Sequence, residues 1–298
     1  MRQKTLAGSC ELEGKGLHTG TRSRITIKPA EADTGIVFVR TDLGVRIPAT
    51  ADNVLSTRRS TLLGSGCARI GTVEHILAAF TGLGIDNALV ETSSRELPIL
   101  DGSAAPFVEA IKSTGTAELD APRRWIVPSR TFEIKNARTG AWIKVEPAEE
   151  PSLEVTVDYG SRVLGVQTVR IDSSSVFSSD FAPCRTFCFL HEVLPQLAFG
   201  LARGGDVSNA IIVVERPVKP FMLNALARIL GQPHLSVTPE GYLDNLTLRF
   251  PDECGRHKLL DLMGDLRLAG GFLQARVTAF KPGHALNTSL SKELYQSL

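Results

Sequence analysis

The sequence contains no uninterrupted apolar run of about 18 residues, the length that a membrane-spanning helix requires. Its N-terminal stretch also lacks the short apolar core of a secretory signal peptide. We therefore expect no transmembrane segment and a cytoplasmic location. Aromatic residues are scarce at 6%, but 43% hydrophobic and 22% charged residues are typical of a globular chain, and 298 residues suffice for two domains.

Neither charge sign is in clear excess, since 33 Lys and Arg residues oppose 32 Asp and Glu residues and leave a net charge of +1. The chain thus lacks the basic excess that binds nucleic acid, and we expect no nucleic-acid partner. Its five cysteines are odd in number and scattered, which argues against a disulfide framework. Cys184 and Cys188 form one isolated CxxxC pair, a weak metal signal, and we interpret both as packing residues.

The strongest local pattern runs from residue 257 to residue 266. In a helix, His257, Asp261 and Asp265 fall on one face, while the apolar residues take the opposite side. An imidazole and a carboxylate at positions i and i+4 can bind one metal ion. An ordinary solvated helix face has the same pattern, so this run alone does not decide between the two.

A second helix is predicted to begin near residue 72, with Thr72 as its N-cap and an apolar run from residue 76 onward. Glu74 and His75 then lie in its first turn. The helix dipole there favours an ionised carboxylate and a neutral imidazole, the forms that a general base and a metal ligand need. Glu is also common in the first turn of ordinary helices, and a single His is more often structural than a ligand.

Near the C-terminus, the pair Pro282-Gly283 predicts a turn that presents His284 at the mouth of a site. Histidine is the side chain best suited to exchange a proton near neutral pH. The chain thus offers two His and one Asp as ligands, a Glu beside one ligand, and a further His with an Asp to orient it. This combination suits zinc-assisted hydrolysis.

The order of predicted elements indicates a duplication. Strands, a helix carrying candidate site residues, a further strand and a closing helix follow one another in each half. We place the domain boundary at residues 122/123, giving domains 1–122 and 123–298, with residues 120–124 as a linker and a final strand over 273–277. The second half has an inserted βαβ unit near 187–215. The predicted class is α+β, with two similar domains.

Six motifs occur in an order that resembles one known family: 72–75 (TVEH), 82–87 (GLGIDN), 98–104 (PILDGSA), 185–187 (RTF), 256–266 (RHKLLDLMGDL) and 283–287 (GHALN). Together they are similar to the UDP-3-O-acyl-N-acetylglucosamine deacetylases, zinc amidases of lipid A biosynthesis. The resemblance spans nearly the whole chain and implies two sheets packed through their helix layers, with the metal between the layers.

The resemblance also implies roles for individual residues. It assigns Zn²⁺, with Fe²⁺ as an alternative in the cell, to His75, His257 and Asp261. It makes Glu74 the general base. It gives His284 the role of the acid that protonates the leaving amine.

Further assignments concern the surroundings of the reacting amide. Zinc, the Thr186 hydroxyl and His284 would together meet the developing oxyanion, and Asp265 would keep His284 cationic. The expected partner is the substrate itself, UDP-3-O-acyl-N-acetylglucosamine, and the protein is expected to be a monomer.

Substrate contacts are expected from Lys258 at the polar head, Phe187 at the sugar or acyl region and Tyr159 at uracil. By resemblance the 187–215 insert forms an apolar passage for the acyl chain, which would place Leu197 and Ile212 along it. The alternative is a small helix that only stabilises its own domain.

Some features depart from the family. Gly160 and Ser161 stand where relatives tend to have His-Pro, which weakens the assignment on the uridine side. The connection 216–246 is longer than in many relatives, and the sequence gives it no role.

Two other functions fit part of the pattern. A set of two His and one carboxylate also occurs in non-haem iron enzymes, but those need two open metal positions and a co-substrate site. A non-catalytic nucleotide-sugar binding protein of the same fold would need neither an acid nor a base. The presence of Glu74 and His284 beside the ligands therefore favours hydrolysis.

Overall fold

A computed structural model of the chain describes residues 1–193, 203–206 and 208–297. The elements of the first half are β1 (Arg2–Leu6), β2 (Cys10–Lys15), β3 (Arg22–Pro29), β4 (Ile36–Arg40), β5 (Val45–Pro48), β6 (Val54–Ser56), β7 (Leu62–Ser65), β8 (Ala68–Gly71), α1 (Glu74–Gly82), β9 (Ala88–Thr92), α2 (Ala105–Thr114) and β10 (Thr116–Pro122).

The elements of the second half are β11 (Trp125–Ile126), β12 (Phe132–Asn136), β13 (Ala141–Pro147), β14 (Ser152–Asp158), β15 (Val166–Ile171), α3 (Phe177–Asp180), β16 (Phe187–Phe189), β17 (Ile211–Val213), α4 (Pro220–Ile229), α5 (Glu253–Leu266), β18 (Phe272–Leu273), β19 (Ala275–Phe280) and α6 (His284–Gln296). Short 3₁₀ turns occur at Ala51–Asn53 and Arg267–Ala269.

Each half builds a five-stranded sheet with the same topology. The first has the order β2-β3-β9-β4-β5 and the second β12-β13-β19-β14-β15. In both, the third and fourth strands are parallel and all other neighbours are antiparallel. The predicted α+β class with two similar domains is confirmed. The boundary at 122/123 remains a prediction.

Two central helices fill the space between the sheets. All residues of α1 from Glu74 to Phe80 are buried, so this helix has no solvated face. It packs against α5, and the contact is so close that a Cβ atom on Gly264 would lie 2.0 Å from the carbonyl oxygen of Glu74. Only glycine fits at this crossing, which brings the polar faces of α1 and α5 together.

Three local predictions are wrong. Thr72 is not the N-cap of α1. That position belongs to Val73, and Thr72 has a left-handed φ of 59°. The predicted 120–124 linker is strand β10 as far as Pro122, because its backbone pairs with β1. The final strand is interrupted at Gln274, which separates β18 from β19.

Strands β16 and β17, at the two ends of the predicted insert, pair in parallel. The insert as a complete βαβ unit remains a prediction. A helical turn starts at Leu190, directly after β16. Leu197 lies outside the described residues. Within the described ranges, no helix is long and apolar enough to cross a membrane.

Candidate active site

The three predicted metal ligands meet where α1 crosses α5. His75 comes from the first turn of α1, and His257 and Asp261 lie one turn apart on α5. Nε2 of His257 lies 3.4 Å and Nε2 of His75 3.7 Å from Oδ1 of Asp261. All three ligand atoms lie within 4.8 Å of one another, and all three residues are buried. This arrangement can hold one metal ion.

The hydrogen bonds of this cluster leave the converging atoms free. Nδ1 of His257 donates to the carbonyl of Cys184 at 3.0 Å, so Nε2 of the same ring keeps its lone pair. Oδ2 of Asp261 accepts from Lys258 Nζ at 2.6 Å, whereas the buried Oδ1 has no hydrogen-bond partner. A buried carboxylate oxygen without a partner is costly. A cation between Oδ1 and the two imidazoles would remove that cost, so the residues fit a metal.

Protonation of the cluster agrees with this fit. Burial lowers the pKa of His75 to about 3 and also lowers the pKa of His257. Burial alone would raise the pKa of Asp261, but His257 and Lys258 outweigh it and hold that pKa well below the ordinary carboxyl range. Neutral imidazoles and an ionised carboxylate are the forms that bind a divalent cation.

Glu74 lies beside the cluster. Its side chain is buried, and Oε2 accepts a hydrogen bond of 3.0 Å from the backbone N–H of Thr61. Burial raises the pKa of Glu74 to about 7, although the nearby His284 opposes this shift. Without a metal charge nearby, this carboxyl can therefore both release and accept a proton near neutral pH.

His284 is the first residue of α6, and its imidazole is held by Asp265. Nδ1 lies 2.8 Å from Asp265 Oδ2, which also accepts from Asn287 Nδ2 at 2.9 Å. The other oxygen, Oδ1, accepts from the Thr61 hydroxyl at 2.6 Å. Burial would lower the pKa of His284, but Asp265 raises it to about 9. The imidazole is thus cationic at neutral pH.

A cavity of about 720 Å³ contains these groups. Its polar part includes Glu74, the three ligands, His284 and Lys258, together with Thr186. Its apolar part includes Ile212 of β17 and Val193 of the insert. Phe187 also lines the cavity, with Lys258 Nζ 5.6 Å from its ring centre.

Tyr159, the residue expected at uracil, lies next to the cavity wall. Its ring contacts those of Phe187 and Phe189 edge-on, each at 5.6 Å between centroids. Tyr159 is 43% exposed and is not among the described residues that line the cavity. It contacts the cavity lining through the ring of Phe187.

Several residues that line the cavity or bond to its lining were not predicted. Thr61 bonds both Glu74 and Asp265, yet it lies just before β7 with no pattern to mark it. Arg58 and Arg59 line the cavity from the same hairpin, and Arg59 has a left-handed φ of 71°. His18 also lines the cavity, although no sequence pattern marked it.

Glu96 explains why Thr72 does not cap α1. One oxygen of Glu96 accepts from the Thr72 hydroxyl at 3.0 Å and from the backbone N–H of His18 at 2.9 Å. The other accepts from the N–H and the hydroxyl of Thr19, each at 2.8 Å. The carboxylate thus fixes the loop that carries His18 against the start of α1.

Comparison with known proteins agrees with this geometry. The family model for UDP-3-O-acyl N-acetylglycosamine deacetylase matches residues 3–224 and 232–296. The bifunctional enzyme LpxC/FabZ of Chlorobaculum tepidum is 42% identical over 99% of this chain, which spans 64% of that relative's length.

Other relatives are close to this chain in length. The UDP-3-O-acyl-N-acetylglucosamine deacetylases of Anaeromyxobacter dehalogenans and Myxococcus xanthus are 40% and 39% identical, each over 98% of this chain, which covers 87% and 86% of their lengths. The matched ranges include every residue of the cluster described above. The chain therefore belongs to the UDP-3-O-acyl N-acetylglycosamine deacetylase family.

Proposed function

We propose that this protein hydrolyses the acetamide of UDP-3-O-acyl-N-acetylglucosamine to acetate and the glucosamine, the committed step of lipid A biosynthesis. The observation that carries the proposal is that one cavity is lined by His75, His257 and Asp261 together with Glu74 and His284, the last held by Asp265. The cavity continues from this polar cluster along apolar residues, as a substrate with an acyl chain requires.

We infer that the metal is zinc, held by His75, His257 and Asp261, with Fe²⁺ as an alternative in the cell. A set of two imidazoles and one carboxylate is typical of catalytic zinc sites and leaves a position open. A metal bound there lowers the pKa of water and polarises a carbonyl group.

Glu74 acts as the general base. As a water attacks the acetamide carbonyl, Glu74 accepts the proton that the water loses. The N–H of Thr61 holds one carboxylate oxygen in a fixed direction, which keeps the other available for this transfer.

His284 acts as the general acid. Its pKa of about 9 keeps it charged at neutral pH, so it stabilises the oxyanion together with the Thr186 hydroxyl. When the C–N bond breaks, His284 gives its proton to the leaving amine, while the acyl carbon leaves as acetate. Asp265 stabilises the cationic ring through a charge-assisted hydrogen bond.

The same cavity accounts for substrate contacts. Lys258 faces the polar head of the substrate, Phe187 lies along the sugar or acyl region, and Tyr159 is the candidate for stacking on uracil. Ile212 and, outside the described residues, Leu197 are candidates for the acyl passage. Phe187 and Ile212 line the cavity directly, and Tyr159 reaches it through Phe187.

A non-haem iron oxygenase or a non-catalytic nucleotide-sugar binding protein would use the ligands but not the rest of the site. Binding alone needs neither a buried base nor a paired imidazole acid. We further propose a cytoplasmic monomer, in which the five cysteines are free thiols, as a reducing compartment requires.

Acetate release tests the proposal. The zinc-loaded protein is incubated with UDP-3-O-acyl-N-acetylglucosamine, and acetate and the free amine are measured together. We expect equal amounts of both, and acetate release about 10² to 10⁴-fold slower from the Glu74→Ala protein with its zinc still bound. Tight binding of this substrate without acetate release by the wild-type protein would contradict the enzymatic assignment and favour the binding protein.

A further inference from the structure

One residue that lines the cavity comes from a segment that the family model does not match. The match stops at residue 224 and resumes at residue 232, so residues 225–231 lie outside it. These residues form the second half of α4 and its C-terminal end. Leu230, within this segment, lines the same cavity as Ile212, Val193 and Cys188.

The end of α4 is fixed by its backbone. The N–H of Gly231 bonds to the carbonyl of Arg228 at 3.2 Å, and the N–H of Gln232 bonds to the carbonyl of Ala227 at 2.8 Å. Gly231 has a left-handed φ of 64°. This is the hydrogen-bond pattern of a glycine-terminated helix, which stops the chain at a defined point and holds Leu230 in place.

Packing fixes α4 against the insert. Leu226 and Ala227 are buried in a cluster with Leu190, Ile212 and Val214, and Leu230 packs against that cluster from the cavity side. Since Ile212 belongs both to the cluster and to the cavity wall, a change at Leu230 alters the space beside β17 directly. It does not have to be transmitted through other residues.

We propose that Leu230 determines which acyl chains the protein accepts, and this inference rests on the proposed function. Leu230 narrows the apolar part of the cavity, so the number of methylenes that can be buried depends on its volume. Each buried methylene changes the dissociation constant about fourfold. The segment 225–231 therefore adapts this family member to its own acyl-chain length.

The test uses the full-length zinc-loaded protein and two substrates, UDP-N-acetylglucosamine with a 3-O-decanoyl or a 3-O-tetradecanoyl chain. Binding is measured by calorimetry in the Glu74→Ala background, in which turnover is slow, and kcat/KM is measured separately in the protein that retains Glu74. The variants are Leu230→Trp, Leu230→Ala and the control Leu223→Ala. Leu223 packs on the same cluster but does not line the cavity.

We expect Leu230→Trp to weaken binding of the tetradecanoyl substrate about 15-fold more than binding of the decanoyl substrate, equivalent to about two lost methylenes. Leu230→Ala should change the ratio of the two dissociation constants in the opposite direction. Leu223→Ala should leave this ratio unchanged. Equal effects on both chain lengths, or the same change in ratio from Leu223→Ala, would overturn the inference. If the wild-type protein binds both substrates but releases no acetate, the proposed function fails while the binding ratio still decides the role of Leu230.

Discussion

The sheets of the two halves share strand order and direction, whereas their helices differ in what they carry. Helices α1 and α5 each lead into the middle strand of their sheet, and α2 and α6 each follow it. Helix α1 offers Glu74 and His75 in one turn, while α5 presents His257, Asp261 and Asp265 along its length. His284 begins α6, but α2, its counterpart, contributes none of the cavity residues described.

This difference explains why the duplicated fold has one site of this kind and not two. The proposed base and one ligand come from the first half. The second half supplies the other two ligands, the acid and the carboxylate that orients it. Because Gly264 allows α1 and α5 to touch, the two incomplete sets form one complete set. Neither half is expected to hold a metal or react alone.

The largest expected effect follows from removing one ligand from either half. His75→Ala and His257→Ala should each lower metal affinity by more than about 100-fold, because loss of a ligand exceeds the cost of losing a supporting hydrogen bond. Elemental analysis after dialysis measures this, with the exposed His234→Ala as the control. If one of the two variants keeps stoichiometric zinc and the other loses it, the ligands come from one half only.

Next in size are the proton-transfer groups. Glu74→Gln and His284→Ala should each lower kcat by about 10² to 10⁴ while the metal remains bound. The double variant should lose less than the product of both factors, since the two groups act on one transition state. Glu109→Gln on the exposed side of α2 is the matched control. Near wild-type rates in both single variants, with zinc occupancy confirmed, would refute the mechanism.

A smaller effect concerns pH and lies within the second half. Asp265 raises the pKa of His284 to about 9, so the proposed acid stays protonated, and the enzyme active, until the pH rises through that value. In Asp265→Asn the counter-charge is gone and the pKa of His284 falls. The fall of kcat/KM at high pH, the basic limb of the pH profile, should then occur at lower pH. If the basic limb stays at the same pH in Asp265→Asn, His284 is not the group that titrates there.

The smallest expected effect tests the contact that the first half makes with this pair. Thr61→Val removes the hydroxyl that donates to Asp265 but keeps the N–H that binds Glu74. The bond is present before and during proton transfer, so only the part of its strength that changes during the transfer affects the rate. We expect kcat to fall by no more than about 10-fold, with little change in KM.

Asp265 then has one donor fewer and interacts more strongly with His284, so the basic limb should move to higher pH, opposite to Asp265→Asn. Thr61→Ser should restore both the rate and the limb. A general loss of stability without this shift would make Thr61 merely structural.

Periodicity predicted the parts of the site that lie on single helices. The spacing of His257, Asp261 and Asp265 requires only the helical repeat, and the placement of Glu74 and His75 requires only a helix start near residue 74. The cap itself was mispredicted because Thr72 bonds to Glu96, which is distant in sequence. Local sequence rules do not predict that a distant carboxylate binds the hydroxyl of a candidate N-cap residue.

Other features depend on tertiary contacts. Thr61 reaches the site only because the hairpin before β7 lies against both central helices. Leu230 reaches the cavity only because α4 packs on the insert. The break at Gln274 has a similar origin: β18 pairs with β11, whereas β19 joins the large sheet. Sequence patterns identify faces of elements, but not which faces meet.

X-ray absorption at the zinc edge tests the central claim, that one metal is shared by both halves, most directly. We predict a shell of nitrogen and oxygen at about 2.0 to 2.2 Å with two imidazoles and no sulfur at about 2.3 Å. In His75→Ala, reloaded at high zinc concentration, the spectrum should report one imidazole instead of two. Two imidazoles in that variant, or a sulfur ligand in the wild-type protein, would contradict the shared site.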